Sequence, residues 1–439
     1  ETKVGFNNII ANSISMKVSR IFFLIVSVLL TFIIYEKFPK YLDQEKYVKI
    51  FFLSVFLCFS ILSTFIKNKF IKKINIFFIY FVIITYSLNL LLSVHHYFNS
   101  TEYEKEKRYK ELDINFDYRD PLTFIKDSGN TRILPLTTPS ELMKKNEDVL
   151  FLSGVTNSQY IQCNEFGQWK KITTDNYGFN NSSIKSKYKI LLIGDSFAHG
   201  VCVEKQNETH NLLTKKGLST YNAGYSGNGP LLTLATAIEI NKVLEVDKIV
   251  WLFFRNDFYD IKWESNNYFL KKYLDKDFNG FSYFNNLEKK DNYQKNYIEN
   301  NYSKTLGFNY KESFIQLKFL NDYVKRALKK NKIENYDEKI FDKVFTIFSS
   351  KLRDKKKIII YLPDQACFLE QQHNCKKEFS LLKKIASKNN LEIYNYTNAI
   401  NSKLFKEYFA LGINRNHYSN KGYKDLSDYI FNILKNDLN

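Results

Sequence analysis

KYKILLIGDSFAHGVCV, Lys187–Val203, is the stretch that decides the fold. A polar approach leads into an apolar run, Ile190–Ile193, that ends at the turn Gly194-Asp195-Ser196. A short apolar run closed by a glycine turn reads as a buried strand of a parallel sheet. The residues beyond the turn can open a helix. A serine at the carboxyl end of such a strand lies where open α/β sheets bind ligands, and the amides beyond it can help hold an anion. Taken alone, Ser196 reads equally well as a cap at a strand–helix junction.

From Lys187 onward, strand-like and helix-like patterns alternate, as a parallel sheet with crossover helices requires. Strands are expected at Ile190–Ile193, Ser219–Asn222, Ile249–Phe254, Lys357–Leu362 and Leu391–Tyr394. Helices are expected over 208–216, 231–244, 312–329, 336–351, 375–388 and 420–434. The loops after the strands carry the unusual residues. NAGYSGNGP, Asn222–Pro230, places three glycines in one loop, which lets the backbone turn towards a ligand. FFRNDFYDI puts Asn256 at the end of the third strand, and NRNHYSNKGY puts His417 just ahead of the last helix. Each block alone is an ordinary turn glycine, capping asparagine or surface histidine. Their joint occurrence in this order is not.

GDSF, then N-x-G-x-S-G, then Asn-Asp after the third strand, then a late His, resembles the SGNH (GDSL-type) hydrolase superfamily over about residues 175–439. The resemblance implies a flavodoxin-like three-layer α/β/α sandwich with a parallel sheet. By motif match, Ser196 corresponds to the nucleophile, Gly227 and Asn256 to oxyanion-hole donors, and His417 to the general base. The chemistry asks for such a set. A serine hydroxyl is a poor nucleophile until a base takes its proton, and the tetrahedral intermediate needs preorganised donors for its negative oxygen.

Two positions depart from the family pattern. An Asp is usual three residues before the His, and here Asn414 stands there. An amide can hold the imidazole tautomer but does not stabilise imidazolium as a carboxylate does. The alternatives are a Ser-His dyad, weak activity, or another acid, for which Asp364 at the end of the fourth strand is the candidate. Arg255 replaces the glycine that the family often has before the Asn corresponding to Asn256, and it is expected to pair with a nearby acid. His199, three residues after Ser196, is the second candidate base, with local geometry expected to aim it away.

Residues 261–311 form an aromatic and Asn-rich insertion in the α/β domain (187–439), expected as a lobe or partial lid near the site. Residues 98–186 read as a connecting region packed on that domain. Residues 1–97 read as a membrane anchor with three transmembrane helices. Ile21–Ile34, Ile50–Ile66 and Ile74–Val94 each approach or reach the ~20 residues that span a hydrocarbon core. Lys67, Lys69, Lys72 and Lys73 crowd the second loop, which places that loop in the cytoplasm and everything after Val94 outside.

The chain of 439 residues carries 64 Lys+Arg against 46 Asp+Glu, a formal charge of +18. Only 8 of the basic residues are Arg, the Lys are scattered, and no nucleic-acid-binding motif is present, so a nucleic-acid partner is not expected. The cysteines show no metal-ligand spacing, and no cofactor is implied. Cys163, Cys202, Cys367 and Cys375 can form two disulfides in an oxidising compartment. The expected function is a serine esterase or O-acyltransferase on the outer face of a bacterial cytoplasmic membrane. Its substrates would be acyl esters, acetyl among them, of a cell-envelope glycan or lipid-linked sugar. The alternatives are a non-catalytic relative that binds an envelope polysaccharide or partner, and a lipid-directed esterase.

Overall fold

The computed structural model describes residues 69–129, 132–144, 148–305, 317–328, 337–369, 372–413 and 416–435. The chain divides into two units, residues 98–308 with 331–439, and residues 1–97 with 309–330.

In the larger unit, three short strands form a small sheet: β1 (Ile133–Pro135), β2 (Gln159–Ile161) and β3 (Lys171–Thr173). β1 runs parallel to β2, and β2 antiparallel to β3. The main sheet follows, with β4 (Lys187–Gly194), β5 (Thr220–Asn222), β6 (Glu245–Phe254), β7 (Lys356–Leu362) and β8 (Glu392–Asn395). All of its pairings are parallel, and the order is β5-β4-β6-β7-β8. Counted along the chain this is 2-1-3-4-5, the flavodoxin-like order, whose ligand crevice opens where the winding reverses. That switch point is the carboxyl end of β4, where Ser196 stands.

Alternate side chains feed two cores, so the sheet is covered on both faces. Leu191, Ile193, Trp251, Phe253 and Ile359 pack under the helices Pro230–Ile240, Glu338–Lys351 and Gln372–Lys388. Ile190, Leu192, Val250, Leu252 and Ile360 pack under Thr209–Lys215 and Asn420–Lys435. Period-two burial on both sides explains why the strands read as continuous apolar runs.

The edge strand β5 is finished by a side chain. Asn181 donates through Nδ2 to the Asn222 carbonyl at 2.9 Å and accepts from the Asn222 amide at 2.9 Å. A side-chain amide thereby completes the pairing that a further strand would have made. The loop bearing Asn181 is held by Asp175, which accepts from the Tyr221 hydroxyl at 2.8 Å.

The aromatic insertion is a lobe over the helix Pro230–Ile240. Buried Glu239 of that helix accepts from the Tyr273 hydroxyl at 2.7 Å and from the amides of Phe281 and Tyr283. Tyr273, Tyr283 and Phe284 belong to the core and are not free to stack on a ligand.

In the smaller unit, the third apolar segment lies in a helix, Lys69–Phe98. Its polar positions are used for packing. Asn89 is buried and accepts from the Leu320 amide at 3.1 Å, and the His96 ring lies 5.4 Å from that of Phe319 in the helix Lys318–Leu328. Among the described residues, no helix is long and apolar enough to cross a membrane. The expectation of three transmembrane helices is therefore not supported, and its first two segments lie outside the described residues.

Candidate active site

β4 ends at Gly194, and Asp195 caps the short helix Ser196–His199 by accepting from the Phe197 amide at 2.9 Å. The cap is thus the aspartate, which leaves the hydroxyl of half-buried Ser196 for other work. The flanking strands deliver the next two candidates. Gly227 lies in the loop after β5, and the Tyr225 amide ties that loop to the Gly194 carbonyl at 3.2 Å. Gly227 has φ of +81°, and a Cβ there would lie 2.9 Å from Thr138 Cβ, so this position holds glycine for both conformation and space. Asn256 follows β6, on the other side of β4, and precedes the helix Asp257–Glu264.

His417 comes from the segment ahead of the last helix and lies against this turn. Its ring centroid is 5.2 Å from that of Phe197. Its Nδ1 lies 2.9 Å from Glu165 Oε1, and its backbone amide donates to Glu165 Oε2 at 2.8 Å. An ionised carboxylate only accepts, so Nδ1 carries the proton and Nε2 is the basic nitrogen. Burial lowers the His417 pKa, but the charge and hydrogen bond of Glu165 outweigh it, with help from Asp195, and the net shift is upward. Burial likewise raises Glu165, and the interactions with His417 outweigh that and hold its carboxyl below the usual range. Asp195 itself is pushed up to about 6, chiefly by burial.

Glu165 was not among the residues expected from sequence. It sits between β2 and β3, in the part of the chain read as a connecting region. Asn414 lies outside the described residues. Asp364 does not meet His417 in any described hydrogen bond. It accepts from Arg255 Nη1 at 3.1 Å and from the Cys367 amide at 3.1 Å. Arg255 Nε also donates to both oxygens of buried Glu378, at 3.1 and 2.9 Å, so this arginine is consumed by two acids. His199 is fully buried, its Nδ1 accepts from the Ser226 amide at 3.3 Å, and burial drives its pKa down to about 3. It supports the glycine loop rather than reaching Ser196.

The Arg255 cluster allows a stability prediction. Glu378 is 1% exposed, and Arg255→Ala would leave its charge buried without its main partner. A loss of about 3–5 kcal/mol in unfolding free energy is expected, read by denaturant titration. A loss below about 1 kcal/mol would mean that water reaches Glu378 and takes the place of Arg255.

Four cysteines of the larger unit are joined as Cys163–Cys202 and Cys367–Cys375. No family model and no curated protein matches the chain. Among solved structures, the lipase/acylhydrolase from Enterococcus faecalis matches at 14% identity with a TM-score of 0.32, covering 58% of this chain and 97% of that one. A lipolytic protein of the G-D-S-L family from Veillonella parvula DSM 2008 matches at 13% and 0.32, covering 56% and 97%. A Clostridium thermocellum family 3 carbohydrate esterase matches at 14% and 0.29, covering 57% and 97%. Likenesses of this size carry no statement about activity.

Proposed function

We propose that this chain is a serine esterase of the SGNH type, with Ser196 as nucleophile, His417 as general base and Glu165 as the acid that orients and stabilises it. The observation that carries the reading is the two-point contact of Glu165 with His417, beside the turn that presents Ser196. In this mechanism His417 Nε2 takes the Ser196 Oγ proton as Oγ attacks the ester carbonyl carbon. The amides of Ser196 and Gly227 and the Asn256 side chain receive the oxyanion. Collapse expels the alcohol, which takes the proton from Nε2. Water, deprotonated in turn by Nε2, then attacks the acyl-enzyme; collapse breaks the Oγ–acyl bond, Nε2 returns the proton to Ser196 Oγ, and the carboxylic acid leaves. A sugar hydroxyl in place of that water gives acyl transfer. The carboxylate of Glu165 at His417 supports the catalytic reading over the non-catalytic one.

The substrate we infer is an acyl ester, acetyl among them, on a cell-envelope glycan or lipid-linked sugar. We place the enzyme at the outer face of a bacterial cytoplasmic membrane. Support for that side of the membrane comes from the two disulfides, which suit an oxidising compartment. A lipid-directed esterase is the second reading, favoured by the exposed Ile84, Leu90 and Leu91 of the helix Lys69–Phe98.

A fluorophosphonate probe tests the enzyme reading. Labelling of the folded protein that disappears in Ser196→Ala is expected; a folded chain that takes no label refutes it. Acetylated glycan and phospholipid, offered separately with release of acid measured, divide the two substrate readings. Asn256→Ala should lower kcat about 10²–10³-fold with KM little changed, as loss of one oxyanion donor does. An unchanged kcat would remove Asn256 from that role.

A further inference from the structure

Glu165 stands on a hairpin tip. β2 ends at Ile161 and β3 begins at Lys171, and the loop between them is closed by Gln162 and Cys163 pairing with Lys170, at 2.8 and 2.7 Å. A hairpin tip is held less firmly than the strands behind it, and a catalytic carboxylate needs a fixed place. The ties that fix it are concentrated on Glu165 and its neighbours. The hydroxyl of buried Tyr109, from the helix Thr101–Glu111, donates to the carbonyls of Asn164 at 3.2 Å and Glu165 at 3.1 Å. Gln162 Oε1 accepts from the Cys202 amide at 3.1 Å. The covalent tie is Cys163–Cys202, with Cα atoms 5.6 Å apart across a separation of 39 residues. Cys163 is two residues before Glu165, and Cys202 is six residues after Ser196. Sγ of Cys202, a carboxylate oxygen of Glu165 and a ring nitrogen of His417 lie within 4.8 Å of one another.

We propose that Cys163 and Cys202 are positioning residues of the esterase site, and that their disulfide, by clamping the Glu165 tip onto the nucleophile's own loop, makes activity conditional on oxidation. The inference rests on the esterase reading above. A dithiol reductant would deliver two electrons and two protons, break the Sγ–Sγ bond and leave two thiols, itself becoming a cyclic disulfide. The tip is then held by hydrogen bonds alone. A carboxylate displaced by about 1 Å costs on the order of 10²-fold in rate, because positioned groups act only within a narrow geometry. The other disulfide, Cys367–Cys375, closes a short local stretch and serves as the control.

The test uses the full chain and a p-nitrophenyl acetate assay, with and without dithiothreitol, in the unmodified protein, Cys163→Ser/Cys202→Ser, Cys367→Ser/Cys375→Ser and Glu165→Gln. Reduction and the first double variant are expected to lower kcat about 10²-fold, to move the acid limb of the pH profile to lower pH as His417 loses its carboxylate, and to leave KM nearly unchanged. Reoxidation restores the unmodified protein. The Cys367→Ser/Cys375→Ser protein keeps the original acid limb. In Glu165→Gln, reduction should cost nothing further, since the two changes act through one contact. An oxidised protein that hydrolyses no ester ends the esterase reading itself. An active protein indifferent to reduction overturns only the clamp. So does an equal proportional loss with and without Glu165, or a reduced chain that circular dichroism shows to be unfolded.

Discussion

Ser196→Ala is expected to reduce ester hydrolysis by about 10⁴–10⁶-fold, the scale on which serine enzymes lose kcat with their nucleophile. The loss should not come from misfolding. Asp195, not Ser196, caps the short helix, and the buried strand that delivers the serine owes nothing to its hydroxyl. An alanine at the first helical position is well tolerated. The melting temperature of Ser196→Ala should therefore match that of the unmodified protein while the rate collapses. The residual rate, if oxyanion donors and binding remain, should still exceed that of water and should fall again with Asn256→Ala. A variant that keeps more than about a tenth of the activity would point to another nucleophile and would dissolve the whole set.

The fold was legible because its signals are local. Each main strand is a short apolar run ending in a turn, and all five form within a few residues of their expected positions. Ser196, Gly227 and Asn256 could be placed near one another because each follows a main strand, and adjacency in a parallel sheet brings strand ends together. Asp364 meets the same criterion. A strand-end acid has several partners within reach, and Arg255, one strand away, engages it.

Glu165 was illegible for the opposite reason. It lies 252 residues from His417, on a hairpin tip with no hydrophobic period to place it. One signal did exist. Cys163 and Cys202, if paired, would have brought the tip beside the nucleophile loop, but four cysteines admit three pairings and sequence does not choose among them.

Glu165→Gln is the change that decides whether this upstream carboxylate does what an acid beside His417 should do. The glutamine keeps the shape and can still accept from the His417 amide, now 2.8 Å from Oε2, so the fold should survive. What it cannot keep is the negative charge. Without it the imidazolium formed in the transition state is poorly stabilised, and the amide can hold the wrong tautomer; a loss of about 10³–10⁴ in kcat is expected. The pH profile gives a second and independent readout. His417 must be neutral to act as base, so activity falls as pH drops through its pKa. In the unmodified protein that pKa lies above the usual histidine value, because Glu165 outweighs the lowering by burial. Remove the charge and burial prevails, so the acid limb moves to lower pH even as the plateau drops. Asp364→Asn, whose carboxylate serves Arg255, should leave the plateau and the limb where they are. If instead Asp364→Asn lowers the plateau and Glu165→Gln does not, Asp364 and not Glu165 is the acid that serves His417. A fall in rate without movement of the limb would mean that Glu165 holds the ring in place without tuning its basicity.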